Sequence, residues 1–334
     1  MAGQTARAAE SAAAPLQRRF CVAPMMDCSD RHSRFFLRLL SPRILLYTEM
    51  VTAAAVVHGD REHLLGFSPE EHPLAVQLGG SDPDLLERAA RICAEFGYDE
   101  INLNCGCPSP RANEASFGAI LMKNPTVVAE ITAAMLQSSS LPVSVKMRTG
   151  VDDVEDYDLL CRFVDQVAAS GVKTFIIHAR KAWLCGLSPK ENRKVPPLRH
   201  EWVYCLKKDF PHLEIITNGG IDTLEQMKAH LQYVDGVMIG RAAYGNPWLL
   251  AKSALFFNKH PPLSSSVFDA LLDYARTELD CGTKAAAIFR HWVNLFSGFP
   301  GARHIRQKFS KANPEEILTL LSSLKEHSWI GEMP

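Results

Sequence analysis

The sequence predicts an α/β protein, a (β/α)8 TIM barrel of parallel strands followed by a small C-terminal helical bundle. Three observations support this prediction. Eight short apolar runs recur between residues 19 and 242, helical patterns lie between them, and almost every run ends on a polar residue or a glycine. Beyond about residue 250 only helical patterns remain. A doubly wound parallel sheet is the competing architecture.

The eight predicted strands lie, in chain order, in RFCVAPMM, RILLYTEMV, PLAVQLGG, YDEINLNCG, LPVSVKMRTG, VKTFIIHAR, LEIITNGG and VDGVMIGRA. Apolar runs bounded by turn residues are typical of strands that are buried on both faces. One of the intervening helices is predicted in DPDLLERAARICAEFG, with Ser81 or Asp82 as its N-cap and Gly97 as its end. Strands that alternate with helices in this way run parallel.

Three amphipathic patterns close the chain: SVFDALLDYARTELD, TKAAAIFRHWVNLFSG and NPEEILTLLSSLKEH. We therefore predict a barrel domain over residues 19–258 and a helical domain over 262–330, joined by the linker NKHPPLSSS. Residues 1–18 are Ala-rich and contain Arg. A disordered tail is favoured there over an organelle-targeting sequence, because the segment is short and contains Glu10.

Composition excludes several classes of protein. The 334 residues are 47% hydrophobic and 22% charged, as in an ordinary globular protein. No run reaches the roughly 18 apolar residues that a membrane span needs. The nine cysteines are odd in number and irregularly spaced, which favours free thiols, a reducing compartment and a cytoplasmic location.

Charge is unevenly distributed although the formal net charge is only −1. Residues 281–314 contain no Asp or Glu but six Lys or Arg. A second basic stretch runs from residue 180 to 199, where Glu191 is the one acidic residue. Such runs are commonly just solvated faces. Two of them in a near-neutral protein favour an anionic polymer as partner.

Glycines follow the last two predicted strands, where barrels often bind phosphate. Gly219 and Gly220 follow the seventh strand after Asn218, and Gly240 precedes Arg241 after the eighth. Glycine lets backbone N–H groups approach an anion closely, and the arginine adds charge. A phosphate-bearing ligand is therefore favoured over simple turns.

The other strand ends fit flavin mononucleotide (FMN). Gln77, Lys146 and His178 point at the same end of the barrel, and a lysine beside the flavin N1–C2 edge would stabilise the anionic reduced form. The alternatives are a salt-bridged strand end for Lys146 and a structural histidine for His178. Met25 and Met26 suit either core packing or a soft lining for the flavin.

Cys105 and Cys107 lie one residue apart. A disulfide across one residue would be strained, and zinc lacks further ligands nearby. The remaining roles for these two cysteines are packing and acid catalysis. Strand alternation and the Gly-Cys-Pro turn place Cys107 at the barrel mouth, where an ordinary thiol, of pKa about 8.5, is a competent proton donor. We assign Cys105 to packing.

Taken together, APMMD, NLNCGCPS, KMRTGVDD, HARKAWLCGLSPKENR, NGGI, DGVMIGRAAYGNP and GFPGAR resemble the tRNA-dihydrouridine synthases, and most closely their bacterial A branch, over about residues 19–313. The resemblance implies a flavoenzyme that reduces uridine in tRNA, at position 20 of the D-loop and often 20a, with NADPH reducing the flavin. It implies Cys107 as the proton donor and Asn104 as a contact of the target nucleotide. The implied FMN contacts are Pro24, Met25, Met26, Gln77, Lys146, His178, Asn218, Gly219, Gly220, Gly240 and Arg241. The implied tRNA-orienting residues are Lys190, Arg193, Arg303 and Arg306.

The sequence departs from the family pattern at two places. Cys105 stands where an aliphatic residue is expected, and Ala115 and Ser116 stand where a glycine and a basic residue are expected. The departures concern the assignment of the proton donor and the conformation of the loop after it.

The expected reaction adds hydride to uracil C6 and a proton from Cys107 to C5, with Asn104 and Arg148 holding the base or the developing charge. The target base would be flipped out of the tRNA, and the loop that begins at Arg180 would hold phosphates. The expected partners are tRNA and NADPH, with no metal, no membrane and a monomeric state.

Two other functions compete. A small-molecule flavin barrel of the dihydroorotate-dehydrogenase type explains the FMN residues but not the basic helical region. An RNA-binding protein with a purely structural flavin site explains the basic stretches but leaves Cys107 without a role.

Overall fold

A computed structural model describes residues 16–257, 262, 264–297 and 301–325. Eight parallel strands form one sheet in the order β1-β8-β7-β6-β5-β4-β3-β2. The strands are β1 Phe20–Val22, β2 Leu46–Thr52, β3 Leu74–Gly79, β4 Glu100–Cys105, β5 Val143–Arg148, β6 Thr174–His178, β7 Glu214–Asn218 and β8 Gly236–Ile239. Main-chain hydrogen bonds between Leu45 and β1 bring the two edges together, so the sheet is a nearly closed barrel. The predicted fold is confirmed. Seven strands lie within their predicted runs, and β2 extends one residue beyond its run, to Thr52.

Helices connect the strands and continue after them. They are α1 Arg31–Leu40, α2 Ala53–His58, α3 Arg61–Leu65, α4 Pro83–Phe96, α5 Pro110–Glu114, α6 Pro125–Ser138, α7 Tyr157–Ala168, α8 His200–Asp209, α9 Leu224–His230, α10 Arg241–Gly245, α11 Trp248–Ser253, α12 Ser264–Asp280, α13 Ala285–Phe289, α14 Ala302–Lys311 and α15 Pro314–Lys325. Short 3₁₀ helices lie at Pro69–Glu71, Gly118–Lys123, Glu191–Arg193, Ala254–Phe257 and Trp292–Phe296.

Helix α4 shows how local sequence sets these bounds. The Asp82 carboxylate accepts the free N–H groups of Asp84 and Leu85 at the start of the helix. Gly97 ends it with a left-handed backbone, φ +91°. Asp82, rather than Ser81, is therefore the N-cap.

The core has two layers. Alternate strand residues, such as Leu103 and Cys105, face the helices and belong to the main apolar cluster. The opposite residues face the barrel axis, where Tyr47, Ile176 and Met238 form a smaller cluster. Burial on both faces explains why the strands are nearly continuous apolar runs.

Arg18 closes the barrel at the N-terminal ends of the strands. It is buried, and its guanidinium pairs with the fully buried Glu100 at 2.5 Å and with Glu214 at 2.9 Å. Tyr47 donates a further hydrogen bond to Glu100 at 3.0 Å. Arg18 is the last residue of the predicted tail, of which residues 1–15 lie outside the described residues.

The C-terminal helices pack on the N-terminal turn of α1. His32 Nδ1 lies 2.7 Å from the Tyr274 hydroxyl, and the rings of Phe35 and Tyr274 stack with centroids 3.9 Å apart. Arg31 forms an ion pair with Glu278. The predicted linker and domain boundary fall largely outside the described residues. No helix in the described part of the chain has the length and apolarity to cross a membrane.

Candidate active site

The strands end at a common mouth, and their register aligns several predicted site residues side by side. Asn104 on β4 is level with Lys146 on β5, Arg148 with His178 on β6, and His178 with Asn218 on β7. Side chains level in adjacent parallel strands share one rim of the barrel. Residues far apart in sequence thus meet at this mouth.

A row of polar side chains inside the barrel holds Gln77. Its Nε2 donates to Asn102 Oδ1 at 2.7 Å, and its Oε1 accepts from Asn104 Nδ2 at 2.8 Å. Asn102 in turn donates to Ser144 at 2.7 Å. This ladder fixes the amide of Gln77, which is 1% exposed, and leaves one N–H on Gln77 and one on Asn104 for a ligand.

The lower part of this ladder was not predicted from the sequence. Glu100 and Asn102 precede Asn104 at every second position of β4, alternating with Ile101 and Leu103. Polar residues at period two within a buried strand are the signal that indicates an inward-facing row.

Asn104 also shapes the turn that carries Cys107. Its Oδ1 accepts the N–H groups of Gly106 at 3.0 Å and Cys107 at 2.9 Å. The Cys107 carbonyl accepts the Ala119 N–H at 2.8 Å, and a Cβ at Gly118 would lie 2.5 Å from that carbonyl oxygen. The turn is therefore held on both sides.

The two thiols have different surroundings. Cys107 is half-buried, and its Sγ lies 3.4 Å from the Ser109 hydroxyl. Cys105 is fully buried among apolar side chains, and burial raises the pKa of its thiol well above the usual range. Cys105 thus occupies the place of the expected aliphatic residue as an apolar group.

The loop after Cys107 accommodates its unusual residues. Ala115 has φ −87°, which any residue adopts, so the structure needs no glycine at this position. Ser116 has φ +56° and is exposed. The loop therefore tolerates the missing glycine, but it presents a neutral hydroxyl where a basic residue was expected.

The predicted phosphate loops contain glycines that no other residue could replace without strain. Gly219 and Gly220 have φ of +113° and +67°. A Cβ at Gly219 would lie 2.7 Å from His178 Cδ2, and one at Gly220 would lie 2.7 Å from a methyl of Leu198. His200 Nε2 lies 2.9 Å from the Gly219 carbonyl oxygen, and this hydrogen bond stabilises the turn.

Lys146 and His178 face the same space with few partners. Lys146 Nζ donates to Asn218 Oδ1 at 3.2 Å, and Asn218 donates to the Met238 carbonyl at 2.7 Å. Burial, and then the charge of Arg148, lowers the pKa of the Lys146 ammonium to about 7. Burial, and then the charges of Arg148 and Lys146, lowers the pKa of His178 well below its usual range, so its ring is neutral at pH 7.

The arginines around the mouth bind carbonyl oxygens. Arg148 is 4% exposed and donates to the carbonyls of Gly106, Lys181 and Asn192. Arg180 donates to the Pro196 carbonyl, and Arg241 to the Arg193 carbonyl at 3.3 Å. The Nε of Arg180 is buried without a partner.

These cations have no balancing negative charge. Within the described residues, none of Lys146, Arg148, Arg180, Arg193 and Arg241 forms an ion pair with a carboxylate. Burial, and then the charge of Arg241, lowers the pKa values of both Arg180 and Arg193. The mouth therefore carries positive charge that suits an anion.

The remaining predicted residues lie around this mouth or on the C-terminal helices. Met25 is half-buried beside the axial cluster, Met26 is 57% exposed, and Pro24 precedes them. Lys190 is exposed next to the 3₁₀ helix that ends at Arg193. Arg303 and Arg306 lie on α14 instead.

The fold is that of the (β/α)8 barrel enzymes, with a cationic mouth built by the strand ends. Across the described residues, no group of three or more His, Cys, Asp or Glu side chains is placed to hold a metal ion. Comparison of the sequence with protein families makes the assignment more specific. The dihydrouridine synthase (Dus) family matches residues 21–326, and the chain belongs to that family.

Similar proteins are known from several bacteria. The chain is 54% identical over 294 residues to the tRNA-dihydrouridine(20/20a) synthase of Xanthomonas axonopodis pv. citri, covering 88% of each chain. It is 50% identical over 313 residues to that of Synechocystis, covering 91% of this chain and 94% of the relative. It is 52% identical over 297 residues to that of Escherichia coli K12, covering 88% and 86%. The predicted family resemblance is confirmed.

Proposed function

We propose that this protein reduces uridine to 5,6-dihydrouridine in tRNA, at D-loop position 20 with 20a as a second target. FMN is the prosthetic group and NADPH is the reductant. Family membership over residues 21–326 carries this proposal. The names of the relatives support the tRNA substrate and the two positions, and they disfavour the small-molecule alternative.

The shape and charge of the mouth fit FMN. Gly219 and Gly220 have left-handed backbones, which suit the close approach of an anion to main-chain N–H groups, and Arg241 donates to a carbonyl oxygen rather than to a carboxylate. These residues and Gly240 would hold the phosphate. Pro24, Met25, Met26, Gln77, Lys146, His178 and Asn218 would hold the remainder of the cofactor. When bound and reduced, FMN supplies the hydride that uracil C6 accepts.

Lys146 supplies charge where the site needs it. With a pKa near 7 and a neutral amide as its partner, it gains a proton when an anion arrives. Its positive charge then stabilises negative charge on the bound ring system. Neutral His178 contributes hydrogen bonding and shape rather than charge.

Cys107 gives its proton to C5 of the base. Addition of hydride at C6 leaves negative charge on C5 and O4, and a thiol held at the mouth can neutralise it. Asn104 holds the Cys107 turn through Oδ1, and its remaining N–H can bind a polar edge of the base. The target base must leave its stack to reach this depth.

Cations on two parts of the chain would hold the tRNA backbone. Lys190 and Arg193 lie on the loop after β6, Arg180 precedes them, and Arg303 and Arg306 lie on α14. Contacts with phosphates make such binding strongly dependent on salt.

All nine cysteines are free in the structure, which supports a reducing, cytoplasmic location. A monomeric state is part of the same proposal.

The direct test maps dihydrouridine. Unmodified tRNA is incubated with the purified protein, FMN and NADPH, and the modified positions are read by chemical cleavage at dihydrouridine. We expect modification at position 20, and none when NADPH is omitted. Absence of dihydrouridine from a protein that retains FMN would overturn the proposal.

A further inference from the structure

Residues 181–194, which lie within the segment that connects β6 to α8, are called here the β6 loop. Its centre is the side chain of Asn192, which is fully buried. Asn192 Oδ1 accepts the Trp183 N–H at 2.7 Å. Its Nδ2 lies 2.9, 3.2 and 3.3 Å from the carbonyl oxygens of Trp183, Leu187 and Ser188. One amide therefore joins three points of the loop, at Trp183, Leu187 and Ser188.

The main chain of Asn192 reaches the proton-donor turn through Arg148. Arg148 Nη1 donates to the Asn192 carbonyl at 3.0 Å, and Arg148 Nε donates to the Gly106 carbonyl at 2.9 Å. Gly106 directly precedes Cys107. Because Arg148 is buried and forms no ion pair with a described carboxylate, these carbonyls determine where its guanidinium lies.

The next residue reaches the phosphate side of the mouth. The Arg193 carbonyl accepts Arg241 Nη2 at 3.3 Å. Two consecutive carbonyls of the β6 loop thus contact the two arginines that flank the mouth. Lys190 and Arg193, on the same loop, face outward where RNA would bind.

We propose that Asn192 is a positioning residue for the reaction. By fixing the β6 loop, it places the guanidinium of Arg148 against Gly106 and so holds the Cys107 turn in its working position. The loop that would hold tRNA and the turn that would donate the proton then form one hydrogen-bonded unit. This inference rests on the proposed function.

Without Asn192, the loop keeps its charges but loses its shape. Its outward cations can still attract tRNA, whereas Arg148 loses a fixed acceptor and the Cys107 turn loses one of its supports. A misplacement of about 1 Å in a reacting group can cost about a hundredfold in rate. The effect should therefore appear in the chemical step at saturating tRNA, and not only in tRNA affinity.

The test is N192A, compared with the wild type at saturating FMN. Two rates are measured by the flavin absorbance: reduction by NADPH, and single-turnover reoxidation by unmodified tRNA over a range of tRNA concentrations. We expect the limiting reoxidation rate to fall ten- to a hundredfold, while reduction by NADPH falls less than threefold. S188A is the matched control, because within the described residues the hydrogen bonds of the Ser188 hydroxyl go to Glu191, on the exposed face of the same loop. It should keep the limiting rate within twofold.

A fall of less than fivefold in the limiting rate, with only a higher tRNA concentration needed for saturation, overturns the inference. So does an equal fall in both rates. If N192A does not fold, the same rates are measured for N192D, which keeps the acceptor for Trp183 but loses the donated bonds. A wild-type flavin that is not reoxidised by tRNA would instead refute the proposed function.

Discussion

Cys105 and Cys107 carry the same thiol group near the end of β4, but their positions give them different surroundings. The first faces the helices with no exposure, and the second lies at the mouth in a turn held by Asn104. Only the second can meet a base.

We expect C107A to retain FMN but to form dihydrouridine roughly a hundred- to ten-thousandfold more slowly, because a positioned proton donor is lost. The measurement is dihydrouridine formed per minute in unmodified tRNA. C105A is the matched control and should keep its rate, with an unfolding free energy lower by about 1 kcal/mol. Full activity in C107A would refute the assigned role.

Lys146 makes the stability of the FMN-free protein depend on pH. Its pKa is about 7 when folded and about 10.4 when unfolded. Between these values the unfolded chain binds one more proton than the folded chain, so the free energy of unfolding contributed by this group rises with pH. Urea unfolding of the FMN-free protein at several pH values should show this rise, and K146M should flatten it. Equal slopes in both proteins would contradict the lowered pKa.

At the scale of elements, the first turn of α1 joins the mouth to the C-terminal helices. Asp30 caps α1, and its carboxylate also contacts Arg290 and His291. Ser29, beside it, donates to the Ala23 carbonyl and accepts the Met25 N–H. The loop that carries Met25 and the residues that follow α13 are therefore connected through two adjacent residues, Ser29 and Asp30.

We expect D30N to loosen this junction. The hydrogen bonds from His291, Ser33 and Arg290 lower the pKa of Asp30 although its burial opposes them, so its stabilisation is present at neutral pH and is lost as the pH falls through the folded pKa. The loss of the charge-assisted hydrogen bonds of the Asp30 carboxylate should lower the free energy of unfolding by about 1.5–3 kcal/mol at pH 7. Hydrogen exchange over residues 285–297 should accelerate. D27N, at an exposed position with φ +63° that Asn tolerates, is the control and should change neither quantity.

At the scale of the whole molecule, two cationic surfaces lie on separate elements, the β6 loop and α14, and both are proposed to contact the tRNA. A truncation that removes the C-terminal helices is a poor test of their role. Trp292 and Leu295 are fully buried, and Trp248 of α11 donates to the Leu295 carbonyl at 2.7 Å. Cutting the chain would expose core, so charge substitutions test the surface more cleanly.

We expect R303A/R306A to weaken tRNA binding. The slope of log affinity against log salt is negative, and its magnitude should fall by roughly 0.7–0.9 for each phosphate that the variant no longer neutralises. Filter binding at four salt concentrations measures both. NADPH should still reduce the flavin at the normal rate. R91A removes an exposed arginine that is already paired with Glu87 at 2.8 Å, and it should leave the slope unchanged. An unaltered slope in R303A/R306A would place the RNA elsewhere.

The barrel and its mouth were predictable because apolar runs, turn residues and polar strand ends are local patterns. Seven of the eight strands lie inside their predicted runs, β2 exceeds its run by one residue, and α4 begins and ends at predicted caps. Contacts between distant segments were not predictable. Asp30 meets His291 across 261 positions, and Arg148 meets Asn192 across 44. The local sequence shows what such residues can bind, but only the fold shows which partner they meet.

The ion pair at the N-terminal ends of the strands limits how far the amino terminus can be shortened. Glu100 begins the polar ladder that ends at Asn104, and its countercharge comes from Arg18, ahead of the first strand. An expression variant that starts beyond Arg18 would leave the buried Glu100 carboxylate without that countercharge, with Tyr47 and Ser144 as neutral partners, a loss of about 3–5 kcal/mol for a broken buried pair. Trimming the amino terminus for crystallisation should therefore stop before this arginine.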